Sequence, residues 1–250
     1  MKILVAALGA ALFPVTALAA TMTTGAPPQR HLVYTFTYGV STDKQVHSSG
    51  MGGSSMSPSE GSNASGITDY TGGSTDKGTI VVDIVQEQPD SGLVVVVSEQ
   101  GQETRKGAPA TCVVFSDTTI ICDPNKRVNS EELTLLRFLG AHFVDPNNLD
   151  AKSHWHVQRD GPTSTSADYT ISKNNNGVMT IDEVRTVKAN SSKPSTTNIS
   201  ATIGYDFNRN VPTSVTELLV ERSEQGEQYD TVKSETVLTL QTDSMATAKN

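Results

Sequence analysis

The residues ATCVVFSDTTIICDP, at positions 110–124, decide how the surrounding chain folds. They hold both cysteines and have the pattern of a tight β-hairpin folded about Asp117, in which Cys112 faces Cys122. β-Branched residues favour a pleated sheet, and directly opposed residues have Cβ atoms about 4.5–5.5 Å apart. The sequence therefore predicts a cross-strand Cys112–Cys122 disulfide, with two buried free thiols as the alternative.

A helix is predicted directly after the hairpin, over residues 129–144. Asn129 is a typical N-cap, and Glu132 occupies the capping-box position three residues later. A wide apolar face follows at helical spacing, made by Leu133, Leu136, Leu139 and Phe143. A short helix with such a face must pack against another element, so we expect it to cover or plug a sheet rather than dock a partner.

Strand patterns flank the hairpin and the helix on both sides. The clearest is residues 199–207, where apolar and polar residues alternate without a break, as in a strand with one buried face. The continuous apolar run Leu93–Val97 is typical of a central strand that is covered on both faces. The whole pattern predicts a mainly β fold of ten or eleven strands. We expect a curved antiparallel sheet, half-barrel or barrel with the helix on or in it, and a two-sheet β-sandwich is the alternative.

The N-terminus has the pattern of a secretory signal. A positive start at Lys2 is followed by an apolar segment and by the small-x-small site Ala17-Leu18-Ala19. We expect residues 1–19 to be removed and the protein to be exported to the periplasm or the extracellular space, where a disulfide persists. The apolar segment is too short for a membrane span, and no longer one follows, so we expect a soluble protein without a span.

The mature chain is predicted to form one β-rich domain over residues 30–242. Residues 20–29 are expected to be a disordered lead, and residues 243–250 a frayed tail. Residues 48–66 are rich in Gly and Ser and are expected to form a mobile loop within the domain.

The charge of the chain limits its partners. The formal net charge is −8 at pH 7. An acidic surface disfavours nucleic acid and anionic membranes, because both are themselves negatively charged. We therefore expect no nucleic-acid partner, and the oligomeric state stays open.

The triplet His154-Trp155-His156 is the most suggestive chemical pattern. Alternate residues of a strand share a face, so both imidazoles could reach one zinc or copper ion. A third and fourth ligand are not evident, so we assign no metal site and keep His154 and His156 as candidates. The alternative is two solvent-facing histidines with Trp155 in the core. No catalytic or cofactor-binding residue is assigned, because no known catalytic or nucleotide motif stands in a suitable context.

Three functions remain open on these grounds. The first is a non-catalytic exported carrier, whose sheet and helix hold an apolar ligand such as a lipid or an extended peptide. The layout is similar to exported carriers of lipids or lipoproteins, which pair a curved antiparallel sheet with a helix over its hollow, although no motif is shared. The second is an extracytoplasmic hydrolase that uses His154 or His156. The third is a structural protein of the cell envelope that docks a partner through a sheet edge or through residues 48–66.

Overall fold

The computed structural model describes most of the predicted domain. The described residues are 28–46, 72–88, 92–101, 108–115, 119–139, 144, 149–189, 194–225 and 228–245. The signal sequence predicted at 1–19, most of the lead predicted at 20–29, the loop predicted at 48–66 and the hairpin turn 116–118 lie outside them.

Eleven strands and one helix make up the described part of the chain. The strands before the helix are β1 (Arg30–Val46), β2 (Gly72–Gln88), β3 (Gly92–Gly101), β4 (Ala110–Val114) and β5 (Ile120–Cys122). The helix α1 is Ser130–Arg137. The strands after it are β6 (His154–Arg159), β7 (Thr163–Asn175), β8 (Val178–Ala189), β9 (Ser195–Asp206), β10 (Val211–Gln225) and β11 (Gln228–Asp243). Within the described ranges, α1 is not long and apolar enough to span a membrane.

All eleven strands belong to one antiparallel sheet, in the order β5-β4-β3-β2-β1-β11-β10-β9-β8-β7-β6. Neighbours in the sheet are neighbours in the chain, except that the first strand pairs with the last. Strands β5 and β6 form the two edges, and among the described residues they do not pair with each other. The prediction of a curved antiparallel sheet with one helix is confirmed, and the sheet is not closed into a barrel.

The sheet curls far enough to bring its two edges close together. Arg159 at the end of β6 donates from Nη1 to the Oγ1 of Thr119, just before β5, at 2.9 Å. The run Leu93–Val97 lies on an inner strand, third from the β5 edge, and its consecutive residues Leu93, Val94 and Val95 are all buried, so this part of β3 is covered on both faces as predicted.

The hairpin forms in the predicted register. Cys112 is paired with Cys122 and the two form a disulfide, with their Cα atoms 4.0 Å apart. Phe115 N–H donates to the carbonyl of Thr119 at 2.8 Å, which closes the turn. The prediction succeeds because β4 and β5 pair locally, across a loop too short to permit another register.

The inner face of the sheet carries the core. Along β9, Ile199, Ala201, Ile203 and Tyr205 alternate inward, as predicted. The same alternation places Tyr34 of β1 and Tyr169 of β7 inside the curved sheet. Tyrosine is tolerated there only if its hydroxyl has a partner, and Tyr34 donates to the carbonyl of Pro212 at 2.9 Å.

The helix is shorter than predicted. It ends at Arg137 instead of continuing to residue 144, although its predicted start is correct: Asn129 N–H donates to Glu132 Oε2 at 2.7 Å. The last turn tightens, with Phe138 N–H donating to the carbonyl of Leu135 at 3.1 Å. Four apolar side chains in this short stretch are buried in the curved sheet: Leu135, Leu136, Phe138 and Leu139. Their positions i, i+1, i+3 and i+4 would also share one face of a regular α-helix, which explains why the apolar spacing predicted a longer helix.

The N-terminus of α1 packs beside a buried carboxyl group on β3. Glu99 is 1% exposed and lies beside Asn129 at the start of the helix. Glu131 and Glu132 of α1 are buried too. Burial, together with the nearby charges of Glu131 and Glu132, raises the pKa of Glu99 to about 8. The folded protein therefore keeps Glu99 protonated at neutral pH.

An ion-pair network closes the end of the sheet where β1 starts and β11 finishes. Arg30 donates from Nε and Nη2 to both oxygens of Asp243, at 3.0 and 2.8 Å. Arg209 also contacts Asp243, from Nη1 at 3.1 Å, and pairs with Asp206. The predicted frayed tail therefore starts too early: Asp243 is buried in β11, because its carboxylate is the acceptor that neutralises buried Arg30.

Asp243→Asn should lower the free energy of unfolding by about 3–5 kcal/mol, because it leaves the buried Arg30 without its counter-charge. Burial alone would raise the pKa of Asp243, but the hydrogen bonds from Arg30 and Met245 hold it below its ordinary value. The ion pair should therefore give its full stabilisation at pH values above the ordinary pKa of an aspartate. That stabilisation should be lost as the pH falls through the lowered pKa of Asp243. Urea unfolding over a range of acidic pH measures both effects.

The control Asp43→Asn breaks the exposed pair with Lys233 across the same two strands and should cost less than about 1 kcal/mol. Equal losses in the two variants would contradict the role given to Asp243.

Glu99→Gln should stabilise the protein at alkaline pH. Between pH 4.5 and about 8 the unfolded carboxyl is ionised and the folded one is not, so wild-type stability falls as the pH rises through this window. Glutamine has the shape of the protonated side chain, and it should remove this slope and add about 1–3 kcal/mol at the upper end. Urea unfolding at several pH values tests this, with Glu87→Gln on the exposed part of β2 expected to keep the wild-type slope. A steeper slope or a loss of stability in Glu99→Gln would show that the carboxyl is not buried in its neutral form.

Candidate functional site

A cavity of about 690 Å³ lies between α1 and the inner face of the sheet. The helix contributes Ser130, Leu133, Thr134 and Arg137 to its wall. Leu133 was predicted to belong to the packed apolar face, yet it is 41% exposed. It lines the cavity instead of entering the core. The core contacts are made by the residues that follow it, Leu135, Leu136 and Phe138.

The sheet side of the cavity is mostly polar. It combines short hydroxyl side chains with two arginines and one glutamate, and its apolar members are Ile120 and Leu219. The hydroxyl groups belong to Thr119, Thr163, Thr165, Ser234 and Thr236, and the charged groups to Arg159, Arg185 and Glu217.

Along β8 and β10, the inward-facing side chains change from apolar to charged. On β8, buried Met179 and Ile181 occupy inward positions in the first half, and Glu183 and Arg185 follow in the same phase. On β10, Val215 is followed two residues later by Glu217. One half of the curved sheet is therefore filled by apolar side chains, and the other half holds the polar cavity.

Two buried glutamates of the sheet hold the end of the helix. Arg137 Nη2 donates to Glu183 Oε2 at 3.1 Å and also contacts Glu217 Oε2. Thr134 donates to the other oxygen of Glu217 at 2.9 Å. Burial alone would lower the pKa of Arg137, but the charges of Glu183 and Glu217 raise it above its ordinary value. The helix is thus fixed to β8 and β10 by a charged residue that stays protonated.

A second arginine extends this network along the sheet. Arg185 donates from Nε to Glu183 Oε1 at 2.8 Å and from Nη2 to the hydroxyl of Tyr169 at 2.7 Å. That hydroxyl donates in turn to Glu183 at 2.9 Å. Burial and the charge of Glu183 together raise the pKa of Tyr169 to about 12, so the phenol stays neutral. Trp155 stacks on the Tyr169 ring, with the ring centroids 5.1 Å apart.

The two candidate histidines lie elsewhere. His154 and His156 project from the outer face of β6, with side chains 57% and 42% exposed, and Trp155 between them faces inward. Asp168 of β7 lies between the two rings, 3.4 Å from Nε2 of His154 and 2.9 Å from Nδ1 of His156. Hydrogen bonding to His156 lowers the pKa of Asp168. In the residues that the structure describes, no group of three or more His, Cys, Asp or Glu side chains is arranged to hold a metal ion.

Sequence reasoning missed the charged residues of the cavity. Glu183, Arg185 and Glu217 are not among the candidates that the sequence alone suggests. The alternation contained the signal, since these residues continue an inward-facing series that starts with apolar side chains on β8 and β10. A charged residue at such a position needs a partner, and that requirement points to a buried network or a cavity.

Comparisons with known proteins add no assignment. No protein-family model matches the chain, and no curated protein is similar to it in sequence. The geometry of the cavity is therefore the basis on which function is inferred.

Proposed function

We propose that this chain is an exported, non-catalytic binding protein that holds a small amphipathic ligand in the cavity beneath α1. The observation that carries the proposal is the cavity itself: about 690 Å³ is left open inside a sheet whose other half is tightly filled. Ligand sites in proteins have volumes of about 300–1,000 Å³ and combine apolar walls with a few placed polar groups.

The lining supports an amphipathic ligand better than a purely apolar one. Leu133, Ile120 and Leu219 offer apolar surface, whereas most other lining residues carry hydroxyl or charged groups. A wholly hydrocarbon ligand would remove water from these polar groups without replacing its hydrogen bonds, which costs free energy. A ligand with one polar end avoids that cost.

Export is part of the proposal and depends on the sequence. The predicted signal at residues 1–19 directs the chain out of the cytoplasm. The Cys112–Cys122 disulfide is compatible with this, because disulfides persist in oxidising compartments.

The other two functions have weaker support. A hydrolase that uses His154 or His156 would need a substrate cleft beside them, whereas both imidazoles stand exposed on the outer face of β6, on the opposite side of the sheet from the cavity. An envelope-docking role through residues 48–66 concerns a segment outside the described residues.

A cavity-blocking substitution tests the binding function. The probe is 11-(dansylamino)undecanoic acid, excited directly at the dansyl group, and we expect wild-type protein to bind it saturably at one site. Thr165→Trp places an indole in the cavity and should weaken binding about tenfold or more, which corresponds to about 1.4 kcal/mol of lost contact.

Thr216→Trp is the matched control, because Thr216 is exposed on the outer face of β10. It should bind the probe like wild type. Native mass spectrometry of protein purified from an exporting host should in addition find a bound amphiphile that is absent from Thr165→Trp. No saturable binding by wild type, or equal binding by both tryptophan variants, would refute the proposed function.

A further inference from the structure

We infer that the ligand of the cavity carries an uncharged head group with more than one hydroxyl, such as a glycerol or a sugar, which hydrogen-bonds to Ser234 and Thr236. This inference rests on the proposed function, since it assigns the chemical class of ligand for the same cavity. It follows from two hydroxyl groups on β11, from the hydroxyl-rich lining and from the pairing of the charges beside them.

Two buried hydroxyl side chains of β11 face the cavity without a hydrogen-bond partner. Thr236 is 2% exposed and Ser234 is 9% exposed, and both line the cavity. Within the ranges that the structure describes, neither hydroxyl is hydrogen-bonded to another residue. A hydroxyl that is withdrawn from bulk water costs free energy unless it finds a partner. The cavity is the side from which a ligand can supply that partner.

The two hydroxyl groups belong to a polar floor shared by β10 and β11. In the register of these strands, Thr236 is directly opposite Glu217 and Ser234 is directly opposite Leu219. Alternate residues of one strand are about 6.8 Å apart along it. Two hydrogen bonds to a single ligand oxygen span only about 5.6 Å. A head group with two hydroxyls therefore fits Ser234 and Thr236 together better than a head group with one.

The rest of the lining favours a ligand that can both donate and accept. Seven of the fourteen residues that line the cavity are serine or threonine, so most of its polar groups are hydroxyls. A hydroxyl donates and accepts, whereas a carboxylate or an ester only accepts. Glu217, opposite Thr236, accepts from Thr134 and Arg137 and has lone pairs left for a further donor. A ligand hydroxyl can donate to Glu217 while it accepts from Thr236.

The charged groups beside these hydroxyls are already paired with one another. Arg137 contacts both Glu183 and Glu217, and Arg185 donates to Glu183 at 2.8 Å. Two guanidinium groups thus face two carboxylates, and the other arginine of the lining is hydrogen-bonded to the residue that precedes β5. A charged head group would lose its hydration here without gaining an unpaired counter-charge, which costs free energy. An uncharged head group avoids this cost.

Burial along the lining sets the direction of the ligand. Ser234 and Thr236 are at the buried end, so the hydroxyls of the head group lie deep in the cavity. Leu133 is the exposed apolar residue of the lining, and it contacts the hydrocarbon part nearer to solvent. A monoacylglycerol or an alkyl glycoside has this form.

Four ligands with closely matched hydrocarbon chains test the head group: 1-monooleoylglycerol, oleyl β-D-glucoside, methyl oleate and oleate. Each is titrated below its critical micelle concentration into wild type loaded with 11-(dansylamino)undecanoic acid, and the loss of dansyl emission gives its affinity. We expect at least one of the two polyols to bind about tenfold or more tightly than methyl oleate and oleate, because it adds two neutral hydrogen bonds. Preference for the glycerol ester identifies an acylglycerol, and preference for the glucoside identifies a glycolipid. Either preference, or equal affinity for the two polyols, supports the inference.

Substitution of the two hydroxyl residues shows where the head group binds. Thr236→Val and Ser234→Ala remove the hydroxyls with little change of shape. Each should weaken binding of the preferred polyol by about 2–10-fold, the effect of one neutral hydrogen bond, and the double variant by about tenfold or more. Binding of methyl oleate should not change. Thr239→Val, exposed on the outer face of the same strand, is the matched control and should bind like wild type.

The stability of the unliganded protein separates a binding role from a structural one. Because the Thr236 hydroxyl has no partner in the described part of the chain, Thr236→Val should leave the midpoint of urea unfolding unchanged or raise it. A lowered midpoint would show that the hydroxyl serves the fold, and it would overturn the assignment of Thr236 to the ligand.

The remaining outcomes separate this inference from the proposed function. Tighter binding of oleate than of the polyols, or equal binding of methyl oleate and the polyols, would overturn the inference and leave the proposed function intact. A polyol preference that survives both hydroxyl substitutions would do the same. Failure of wild type to bind the dansyl probe or any of the four ligands would overturn both.

Discussion

The fold depends on one connection, the helix that takes the chain from one edge of the sheet to the other. Strand β5 lies at one edge and β6 at the other, and α1 lies between them in the chain. Helix α1 packs inside the curved sheet and buries Leu135, Leu136 and Phe138 there. A helix of about two turns is too short to fill the whole hollow, since each residue adds only about 1.5 Å. The core is therefore complete on one side of α1, and a cavity remains on the other.

The buried ion pairs are also divided between the filled end of the sheet and the side that holds the cavity. At the filled end, Arg30 and Arg209 are neutralised by Asp243 and Asp206, and this network fixes the first strand to the last. Beside the cavity, Arg137 pairs with Glu183 and Glu217, and Arg185 pairs with Glu183. Buried ion pairs seldom add much net stability, because desolvation offsets their attraction. The first network joins β1 to β11, whereas the second fixes the end of α1 to β8 and β10.

Much of the fold was predictable because its contacts are local in the sequence or repeat along it. The Cys112–Cys122 register follows from a short loop, the capping box spans three residues, and strand alternation needs no knowledge of partners. The predicted end of α1 was wrong because the leucine spacing continues past Arg137, whereas the chain leaves the helix at Phe138. The cavity could not be predicted, since Glu183 and Glu217 reach the helix across 46 and 80 positions of sequence. The alternation of the strands places Glu183 and Glu217 inward, but it does not predict which residues they contact.

Pairing of the first strand with the last has a consequence for biogenesis. Arg30 and Asp243 are separated by 213 positions, so the ladder between β1 and β11 cannot form until synthesis has passed β11. A chain that is synthesised from its N-terminus leaves β1 without this partner strand until then. Topologies dominated by such distant pairing fold slowly. The strands from β6 to β11 form a meander that can assemble as it is synthesised, but the sheet as a whole is completed only when β11 pairs with β1.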